Sequence, residues 1–590
     1  MMLKHAERPW LKHYNPGVPD SLGDYPRTTI QYFLQQTAQK YPNKPCLLTS
    51  VRLPVVGHQR HVVTYGELDK LSDALACALI GLGLQKGQHV AIIMPNISAF
   101  VISYFAVLKA GGVVVACNPS YPAAKLRYQL DNSDSVMALT ITALYNTLKE
   151  IQAQTRVKKV VVTNIKEYLA PLARTAFSTT QEKKGGHYLE KLEEGDHWFQ
   201  DLLKQYRGQK PSVDVYPSDL AILQYTGGTT GVSKGVMVTH EMMSFSTQQV
   251  DRWTDLDYSA DIYGKSIKRE DFTALVVLPL FHIFGLVVLI SQSIRCAWQI
   301  LLVADPRDMN NVVDLVDVYK PEVFLGVPLF FHGFANHPRV KSGEVTLKHC
   351  RILLSSAAPL HPDVHADVTA AGGINLAEAY GLSELPAGNH SNPIIGKNRL
   401  TSVGVPMPDV EYRIVDVETG QRELPIGEVG EVILRAPNMM PGYYKMPEET
   451  AQVLREFEGR TWLYTGDLGY ADEDGFLYLR GRKKDMALIG GFNVYPVMVE
   501  AALRQHPAIA DVGVWSVPHP KVPGEEALQA WVVLKPGEQV KSGDLVNFCR
   551  PLLAAYEIPR RFVFVDALPY SEAGKLLRRE LPNLQAEPSE

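Results

Sequence analysis

Short apolar runs alternate with helical segments through the first part of this chain. Residues 89–94 form one apolar run, residues 99–109 follow with helical spacing, and a second apolar run at 113–117 comes after Gly111 and Gly112. Apolar runs separated by helices are typical of parallel strands that are covered on both faces. The pattern therefore predicts an α/β fold for this part. Further strands of the same kind are expected at 159–163, 274–278, 299–303, 323–326 and 352–354.

The pattern changes after about residue 403. Segments 410–416 and 430–435 alternate apolar and polar positions, as half-buried antiparallel strands do. A basic cluster at 480–485 follows, and a smaller unit of mixed character comes after it. We therefore expect a large N-terminal domain, residues 1–483, and a small C-terminal domain, residues 484–590.

Two other segments need an interpretation of their own. Residues 178–210 are polar and charged, which predicts a surface excursion. Residues 274–290 are mostly apolar, but Pro279, His282 and Gly285 lie near the middle. A helix that spans a membrane tolerates these residues poorly, so this segment predicts two buried elements joined at a turn.

A glycine- and threonine-rich loop at 225–235 is the strongest chemical signal. It follows the strand-like run 220–223 and contains Lys234. Glycines let successive backbone N–H groups point into one concavity, hydroxyl groups add donors, and the lysine adds a positive charge. The loop predicts a phosphate site, with a flexible polar loop as the alternative. It is not a standard P-loop, because Ser233 precedes the lysine and Gly235 follows it.

Composition narrows the class of protein. At 590 residues the chain is expected to hold three or four structural units, with an ordinary 46% hydrophobic and 21% charged residues. The formal net charge of −4 argues against nucleic acid as a partner. The six cysteines include no CxxC pair, which indicates thiols in a reducing compartment. Charged residues also interrupt the N-terminus where a signal peptide needs an apolar run.

Four more motifs follow the glycine loop. They are Ala-Tyr-Gly-Leu-Ser-Glu at 379–384, Tyr-Thr-Gly-Asp-Leu-Gly at 464–469, Gly-Arg-Lys-Lys-Asp at 481–485 and Gly-Lys at 574–575. In this order, over roughly residues 27–580, the set resembles the acyl-adenylate-forming superfamily. That superfamily includes acyl-CoA synthetases, aryl-CoA ligases, luciferases and peptide-synthetase adenylation domains. Segments 279–285 and 9–14 are most similar to bacterial long-chain fatty acid–CoA ligases.

The resemblance implies a nucleotide site that is spread over the motifs. Tyr380 would stack on adenine, a use that suits a flat amphipathic ring, and Ser383 would bond the α-phosphate. Asp467 would accept both ribose hydroxyls, with Arg482 as a second ribose-side ligand. Taken alone, Tyr380 also fits a core position and Asp467 a turn position. The implied ATP- and AMP-binding residues are Thr226, Gly227, Gly228, Thr229, Thr230, Gly231, Lys234, Tyr380, Gly381, Ser383, Asp467 and Arg482.

The resemblance also implies three catalytic side chains. Lys575 would bridge the substrate carboxylate and the α-phosphate and so offset the repulsion between two anions. Glu384, with Thr229, would hold Mg²⁺, which takes carboxylate and phosphate oxygens. His282 lies where the family lines the acyl site near the carboxylate, and a buried structural histidine is the alternative.

Other implied residues serve the acyl group and the second half-reaction. Gly326 and Ser356 would line the acyl pocket, where Ser356 replaces the glycine that is usual in the family. Lys484 falls at the family's hinge position, and Gly490 and Gly491 would approach CoA during thioester formation. The implied fold is a large N-terminal domain of stacked α/β sheets plus a β-rich subdomain. A small mobile α+β C-terminal domain follows it, with the hinge at about residue 484.

The function that the resemblance implies is ATP-dependent acyl-CoA ligation. A carboxylic acid, here a medium- or long-chain fatty acid, is adenylated and then passed to CoA, with Mg²⁺ as the metal. An aryl-acid CoA ligase and a fatty acyl-AMP ligase that loads a carrier protein stay open, as do a luciferase-type oxygenase and a catalytically silent relative. We expect small-molecule partners and a cytoplasmic location, with peripheral docking on the inner face of the membrane and a homodimer both left open.

Overall fold

The computed structural model describes residues 2–226, 233–258, 267–386, 388–396, 398–489, 492–519, 526–571 and 574–584. Its strands are β1 (Pro45–Leu53), β2 (Gly57–Thr64), β3 (His89–Ile93), β4 (Val113–Cys117), β5 (Met137–Ile141), β6 (Lys159–Thr163), β7 (His197–Trp198), β8 (Leu220–Tyr225), β9 (Gly235–Thr239), β10 (Thr273–Val276), β11 (Gln299–Leu302), β12 (Val323–Gly326), β13 (Ile352–Ser355), β14 (Leu376–Gly381), β15 (Gly388–Ser391), β16 (Val405–Pro406), β17 (Glu411–Val415), β18 (Gly430–Arg435), β19 (Leu454–Phe457), β20 (Arg460–Ala471), β21 (Leu477–Arg482), β22 (Ala487–Ile489), β23 (Phe492–Val494), β24 (Ile509–Pro518), β25 (Glu526–Leu534) and β26 (Arg561–Phe564). Its α-helices are α1 (Ile30–Lys40), α2 (Tyr65–Gly81), α3 (Ser98–Lys109), α4 (Ala123–Asn132), α5 (Thr142–Gln152), α6 (Pro171–Thr180), α7 (Phe199–Gln205), α8 (His240–Trp253), α9 (Gln292–Arg295), α10 (Met309–Tyr319), α11 (Pro328–Ala335), α12 (Pro338–Lys341), α13 (Pro362–Ala370), α14 (Pro447–Val453), α15 (Pro496–Leu503) and α16 (Ser542–Cys549). A π-helical segment covers Phe284–Ser291.

Two large sheets form most of the structure. One has the strand order β16-β15-β14-β13-β12-β10-β11-β1-β2, and the other has the order β7-β6-β5-β3-β4-β8-β9. Their central strands pair in parallel, as does the edge strand β7 with β6, whereas the other edges, at β2, β9 and β15–β16, pair antiparallel. The central strands are buried on both faces, which is why their sequences are continuous apolar runs.

Helix α3 packs in the core that the two sheets share. Every residue from Ser98 to Lys109 is buried, and the same apolar cluster contains Val90 of β3 and Ala274 of β10. A helix that is buried on all sides must be apolar all round, as this sequence is. Its one charged residue, Lys109, pairs with Asp69 and Asp73 of α2 at 2.6 and 2.7 Å.

The remaining strands form smaller sheets. Strands β17, β18, β20, β19 and β21 make an antiparallel sheet, in which Asp467 of β20 lies directly opposite Arg482 of β21. Strands β24, β25 and β26 make a three-stranded sheet near the C-terminus, with the hairpin β22–β23 beside it. The C-terminal sheet has its own core with α15 and α16, which includes Val499, Val514 and Leu545.

The α/β fold class is confirmed, and the strand–helix–strand reading of residues 89–117 is confirmed as β3, α3 and β4. The segment 274–290 does form two buried elements, β10 and the π-helical segment. The expectation of a surface excursion at 178–210 was wrong in part. Strand β7 pairs with β6, and α7 buries Phe199 and Leu202. No helix among the described residues is long and apolar enough to cross a membrane.

Candidate active site

A cavity of about 300 Å³ opens where strands of both large sheets end. Thr226 follows β8, Ser356 follows β13, and Gly381 is the last residue of β14. The carboxyl ends of strands are where α/β sheets place their ligands, because loops diverge there and leave a crevice. The sequence-predicted residues that line this cavity are Thr226, Lys234, His282, Ser356, Gly381, Ser383, Glu384, Arg482, Lys484 and Lys575.

Three of the predicted residues form a hydrogen-bonded chain beside the cavity. The hydroxyl of Tyr380 donates to Oδ2 of Asp467, and Nε of Arg482 donates to Oδ1 of Asp467 at 2.8 Å. The cross-strand pairing of β20 and β21 positions Asp467 and Arg482, and the carboxylate raises the pKa of the guanidinium further. Burial and the Asp467 charge raise the pKa of Tyr380. Arg482 lines the cavity, whereas Tyr380 and Asp467 lie behind the lining.

Lys575 reaches the cavity from the C-terminal part of the chain. The preceding residue, Gly574, has a φ of +72°, and a Cβ there would stand 2.8 Å from Val327, which follows β12. Only glycine combines this conformation with this close approach, so Gly574 lets the lysine loop approach the large sheet. The backbone N–H of Lys575 donates to the hydroxyl of Ser571 at 3.1 Å, which closes the loop.

The groups around Lys575 shift its pKa in opposite directions. Removal from bulk water and the Arg482 cation lower its pKa, while Asp467 and Glu384 raise it. The side chain nevertheless stays open to water in the cavity, so its pKa falls less than that of a packed lysine would. Within the described residues, Nζ of Lys575 has no ion-pair partner. Burial and the nearby Lys575 charge lower the pKa of His282 to about 4, so its imidazole is neutral at pH 7.

Glu384 and Lys234 are joined through a residue that sequence reasoning missed. The hydroxyl of Tyr443 donates to Oε1 of Glu384 at 2.7 Å, and Nζ of Lys234 stands 5.1 Å above the Tyr443 ring. Lys234 also pairs with Glu449 at the start of α14. Oε2 of Glu384 accepts no hydrogen bond from a described residue, so it is available to a cation. A carboxylate that borders the cavity fits Mg²⁺, which takes one or two carboxylates and completes its shell with phosphate and water.

Lys484 lies in the same cavity. Its side chain is exposed, and the protein around it together with the Arg482 charge lowers its pKa to about 8. Gly326 does not line the cavity, but a Cβ at this position would stand 3.0 Å from the ring of Phe331. The predicted residues Gly227, Gly228, Thr229, Thr230, Gly231, Gly490 and Gly491 lie outside the described residues.

An apolar branch of the cavity leads away from the charged residues. It runs back along β12 and β13, between these strands on one side and α8 and the π-helical segment on the other. From Ser356 to Ile352, at about 3.3 Å per residue, the branch follows the sheet for roughly 13 Å. Its walls include Val250, Trp253, Val288, Val323, Leu325, Ile352 and Leu354.

Comparison with known proteins gives consistent matches over nearly the whole chain. The family model described as AMP-binding enzyme matches residues 34–444, and the model described as AMP-binding enzyme C-terminal domain matches residues 498–575. A long-chain-fatty-acid–CoA ligase of Bacillus subtilis (strain 168) is 35% identical, over 98% of each chain. A long-chain-fatty-acid–CoA ligase of Escherichia coli O6:H1 is 32% identical, over 97% of each chain.

Solved structures agree in fold. ATP-bound MatB from Rhodopseudomonas palustris superposes with a TM-score of 0.79 at 26% identity, over 94% of this chain and 99% of that one. The anthranilate CoA ligase AuaEII in complex with anthranoyl-AMP gives a TM-score of 0.78 at 23% identity, over 95% of this chain and 98% of that one. The second likeness supports the fold alone.

Proposed function

Since this chain belongs to the AMP-binding enzyme family, we propose that it is an AMP-forming acyl-CoA synthetase that acts on medium- or long-chain fatty acids. One observation carries the proposal. The cavity joins a charged end, which contains Glu384, Arg482 and Lys575, to an apolar branch along the sheet, with His282 also in its lining. A carboxylic acid with an apolar tail and a nucleotide together have this distribution of charge.

In the first half-reaction the substrate carboxylate attacks the α-phosphorus of ATP. A new P–O bond forms to the carboxylate, the bond to pyrophosphate breaks, and acyl-AMP remains. Lys575 provides a positive charge between the two anions as they approach, and Arg482 adds a second cation beside it. Because Asp467 holds Arg482 in place before the reaction, this cation stabilises the developing charge without reorganisation.

His282 acts in this scheme without a charge. With its pKa at about 4 it is neutral at pH 7, so it hydrogen-bonds the substrate carboxyl group and leaves the carboxylate negative and nucleophilic. The positive charge that orients the carboxylate comes from Lys575.

Glu384 would hold Mg²⁺, with Tyr443 orienting its carboxylate through Oε1. When bound, the metal ion would supply positive charge that offsets the charge of the phosphates. Lys234 binds phosphate oxygens in exchange for its pairing with Glu449.

In the second half-reaction the thiolate of CoA attacks the acyl carbonyl, and AMP leaves. No protein side chain becomes a covalent nucleophile, because the mixed anhydride is already activated. Lys575 is not needed here. The proposal is that residues 484–590 rotate about Lys484, withdraw the lysine loop from the cavity and bring Gly490 and Gly491 to the pantetheine of CoA.

The proposal extends to cellular context. The enzyme works in the cytoplasm, where its cysteines stay reduced, and it meets its lipid substrate at the inner face of the membrane. Cosedimentation of the purified protein with anionic vesicles tests the second statement. Protein that remains in the supernatant at every lipid concentration would refute it.

The function itself is tested by pyrophosphate release from a panel of acids, each with and without CoA. Octanoate, laurate and palmitate should be activated, and thioester should form when CoA is added. Faster release with benzoate or anthranilate would favour an aryl-acid CoA ligase. Release without thioester formation would favour a fatty acyl-AMP ligase.

A further inference from the structure

Two carboxylates in the C-terminal part of the chain hold the residues on either side of the lysine loop, residues 571–575. Before the loop, the hydroxyl of Tyr570 donates to Oδ2 of Asp511 in β24 at 2.7 Å. After the loop, Nε and Nη2 of Arg578 donate to the carboxylate of Glu500 in α15 at 3.1 and 2.6 Å. Both flanks of the loop are therefore fixed to a frame made of α15 and β24, so the position of the loop depends on where this frame lies.

The same frame contacts helix α13, which packs against the nine-stranded sheet, through Arg504. Arg504 follows the last residue of α15, and its Nη2 donates to Oδ1 of Asp511 at 2.8 Å and to the carbonyl oxygen of Val512 at 3.0 Å. Its Nη1 lies 3.1 Å from Nε2 of His361, directly before α13. A guanidinium group can only donate, so Nε2 of this histidine accepts the bond and its ring proton lies on Nδ1. Arg504 thus holds the frame with one nitrogen and His361 with the other.

The backbone around His361 is anchored to the sheet that borders the cavity. The residue before it, Leu360, is buried, and its backbone N–H donates to Oε1 of Glu378 in β14 at 2.9 Å. Ser356, which lines the cavity, lies in the same segment between β13 and α13. Removal from water and the Arg504 charge lower the pKa of His361 to about 4, so its imidazole is neutral at pH 7 and accepts a hydrogen bond.

We propose that the hydrogen bond between Arg504 and His361 positions Lys575 for the first half-reaction. It joins the frame that holds the lysine loop to the segment that borders the cavity, and it is lost when residues 484–590 rotate for thioester formation. A charge-assisted bond favours the arrangement in which Lys575 reaches the cavity. Neither Arg504 nor His361 lines the cavity, so both are positioning residues. The inference rests on the proposed function and specifies what holds its first conformation.

The test begins with His361→Ala, which removes the acceptor and leaves Arg504 paired with Asp511. At saturating fatty acid, ATP and Mg²⁺, we expect the kcat of pyrophosphate release to fall about tenfold, because a hydrogen bond from a charged donor is lost from the first conformation only. Thioester formation from supplied acyl-AMP and CoA should not fall. His361→Gln, whose amide oxygen accepts in place of Nε2, should stay within about threefold of the unchanged protein in both half-reactions.

A second variant changes the other partner of the bond. Arg504→Lys keeps a cation beside Asp511, but an ammonium group lacks the guanidinium fork that reaches both partners. It should slow pyrophosphate release by a similar factor, and combining it with His361→Ala should add little further loss. Losses that multiply in the double variant would show that the two residues act independently, which would overturn the inference.

His337→Ala is the matched control. His337 also lies directly before a proline at the start of a helix, α12, and its Nε2 bonds Oδ1 of Asn310 in α10 at 2.9 Å instead of a group in the C-terminal part of the chain. Its replacement should leave the rates of both half-reactions unchanged.

The outcomes distinguish this inference from the proposed function. If the unchanged protein activates no fatty acid, the proposed function is wrong, and the inference that rests on it is wrong as well. If fatty acids are activated but His361→Ala is as fast as the unchanged protein, or slows both half-reactions alike, only the positioning inference is wrong. A selective loss of the first half-reaction in His337→Ala as large as that in His361→Ala would also overturn it.

Discussion

Replacing Lys575 by alanine tests the division of labour between the two half-reactions. The change removes the one cation in the cavity that comes from the C-terminal lysine loop and has no ion-pair partner among the described residues. We expect acyl-AMP formation to collapse, while the attack of CoA on supplied acyl-AMP stays within a few-fold of the unchanged enzyme.

The magnitude follows from the charges around the site. Two unit charges about 4 Å apart interact with about 4 kcal/mol at an effective dielectric constant of about 20, which corresponds to roughly a thousandfold in rate. Arg482 remains in the variant, and cavity water screens Lys575, so both reduce the loss. The expected loss in kcat of the first half-reaction is therefore about 10²- to 10³-fold.

The assay measures the half-reactions separately. Fatty acid, ATP and Mg²⁺ without CoA give the rate of pyrophosphate release, and chemically prepared acyl-AMP with CoA gives the rate of thioester formation. Lys541→Ala, an exposed lysine of the same C-terminal part that does not line the cavity, serves as the control. Equal losses in both half-reactions, or no loss in the first, would refute the reasoning.

Four further predictions follow from other groups. The pKa of Lys575 is lowered, and its protonated form is the active one. As the pH is raised, the rate of pyrophosphate release should therefore begin to fall before pH 10.5, where an ordinary lysine loses its proton. A rate that stays constant up to pH 10.5 would contradict this. Burial raises the pKa of Glu378 to about 8, so its contribution to stability is complete below about pH 4.5 and is lost as the pH rises to 8. Between pH 4.5 and pH 7, the free energy of unfolding of Glu378→Gln in urea should therefore rise by about 3 kcal/mol relative to that of the unchanged protein. A difference between the two proteins that does not change with pH would exclude the effect. Lys109→Met should cost about 3–5 kcal/mol because it leaves buried Asp73 uncompensated, and addition of Asp73→Asn should restore part of it; the same loss in the double variant would show that packing is responsible. Chelation of Mg²⁺ should stop pyrophosphate release, and Glu384→Gln should raise the Mg²⁺ concentration for half-maximal rate by about tenfold; an unchanged Mg²⁺ requirement would remove the metal role of Glu384.

The parallel strands were predictable because their signal is local. Residues 113–117 are continuously apolar and follow two glycines. Consecutive residues therefore predict both the burial of the strand on both faces and the end of the helix before it. Helix α7 was missed because it has only seven residues, and its buried Phe199 and Leu202 stand among polar neighbours. A half-turn of apolar residues in a charged region does not distinguish a docked helix from a solvated one.

The candidate site was predictable only as a set of motifs. The residues around Asp467 do not predict that it faces Arg482, because that pairing depends on the register of the hairpin β20–β21. Tyr443 and Glu449, which contact Glu384 and Lys234, lie between the motifs, and a glutamate at the start of a helix is usually solvated.

The central claim is that a fatty carboxylate attacks the α-phosphorus of ATP in this cavity. The most direct measurement uses a fatty acid labelled with ¹⁸O in its carboxylate, together with ATP, Mg²⁺ and CoA, and mass spectrometry of the products. One labelled oxygen should appear in the phosphate of AMP and none in pyrophosphate, because the carboxylate oxygen becomes the bridge of acyl-AMP and stays on phosphorus when CoA attacks the carbonyl. Label in pyrophosphate or in inorganic phosphate, or thioester formation with unlabelled AMP, would contradict the account.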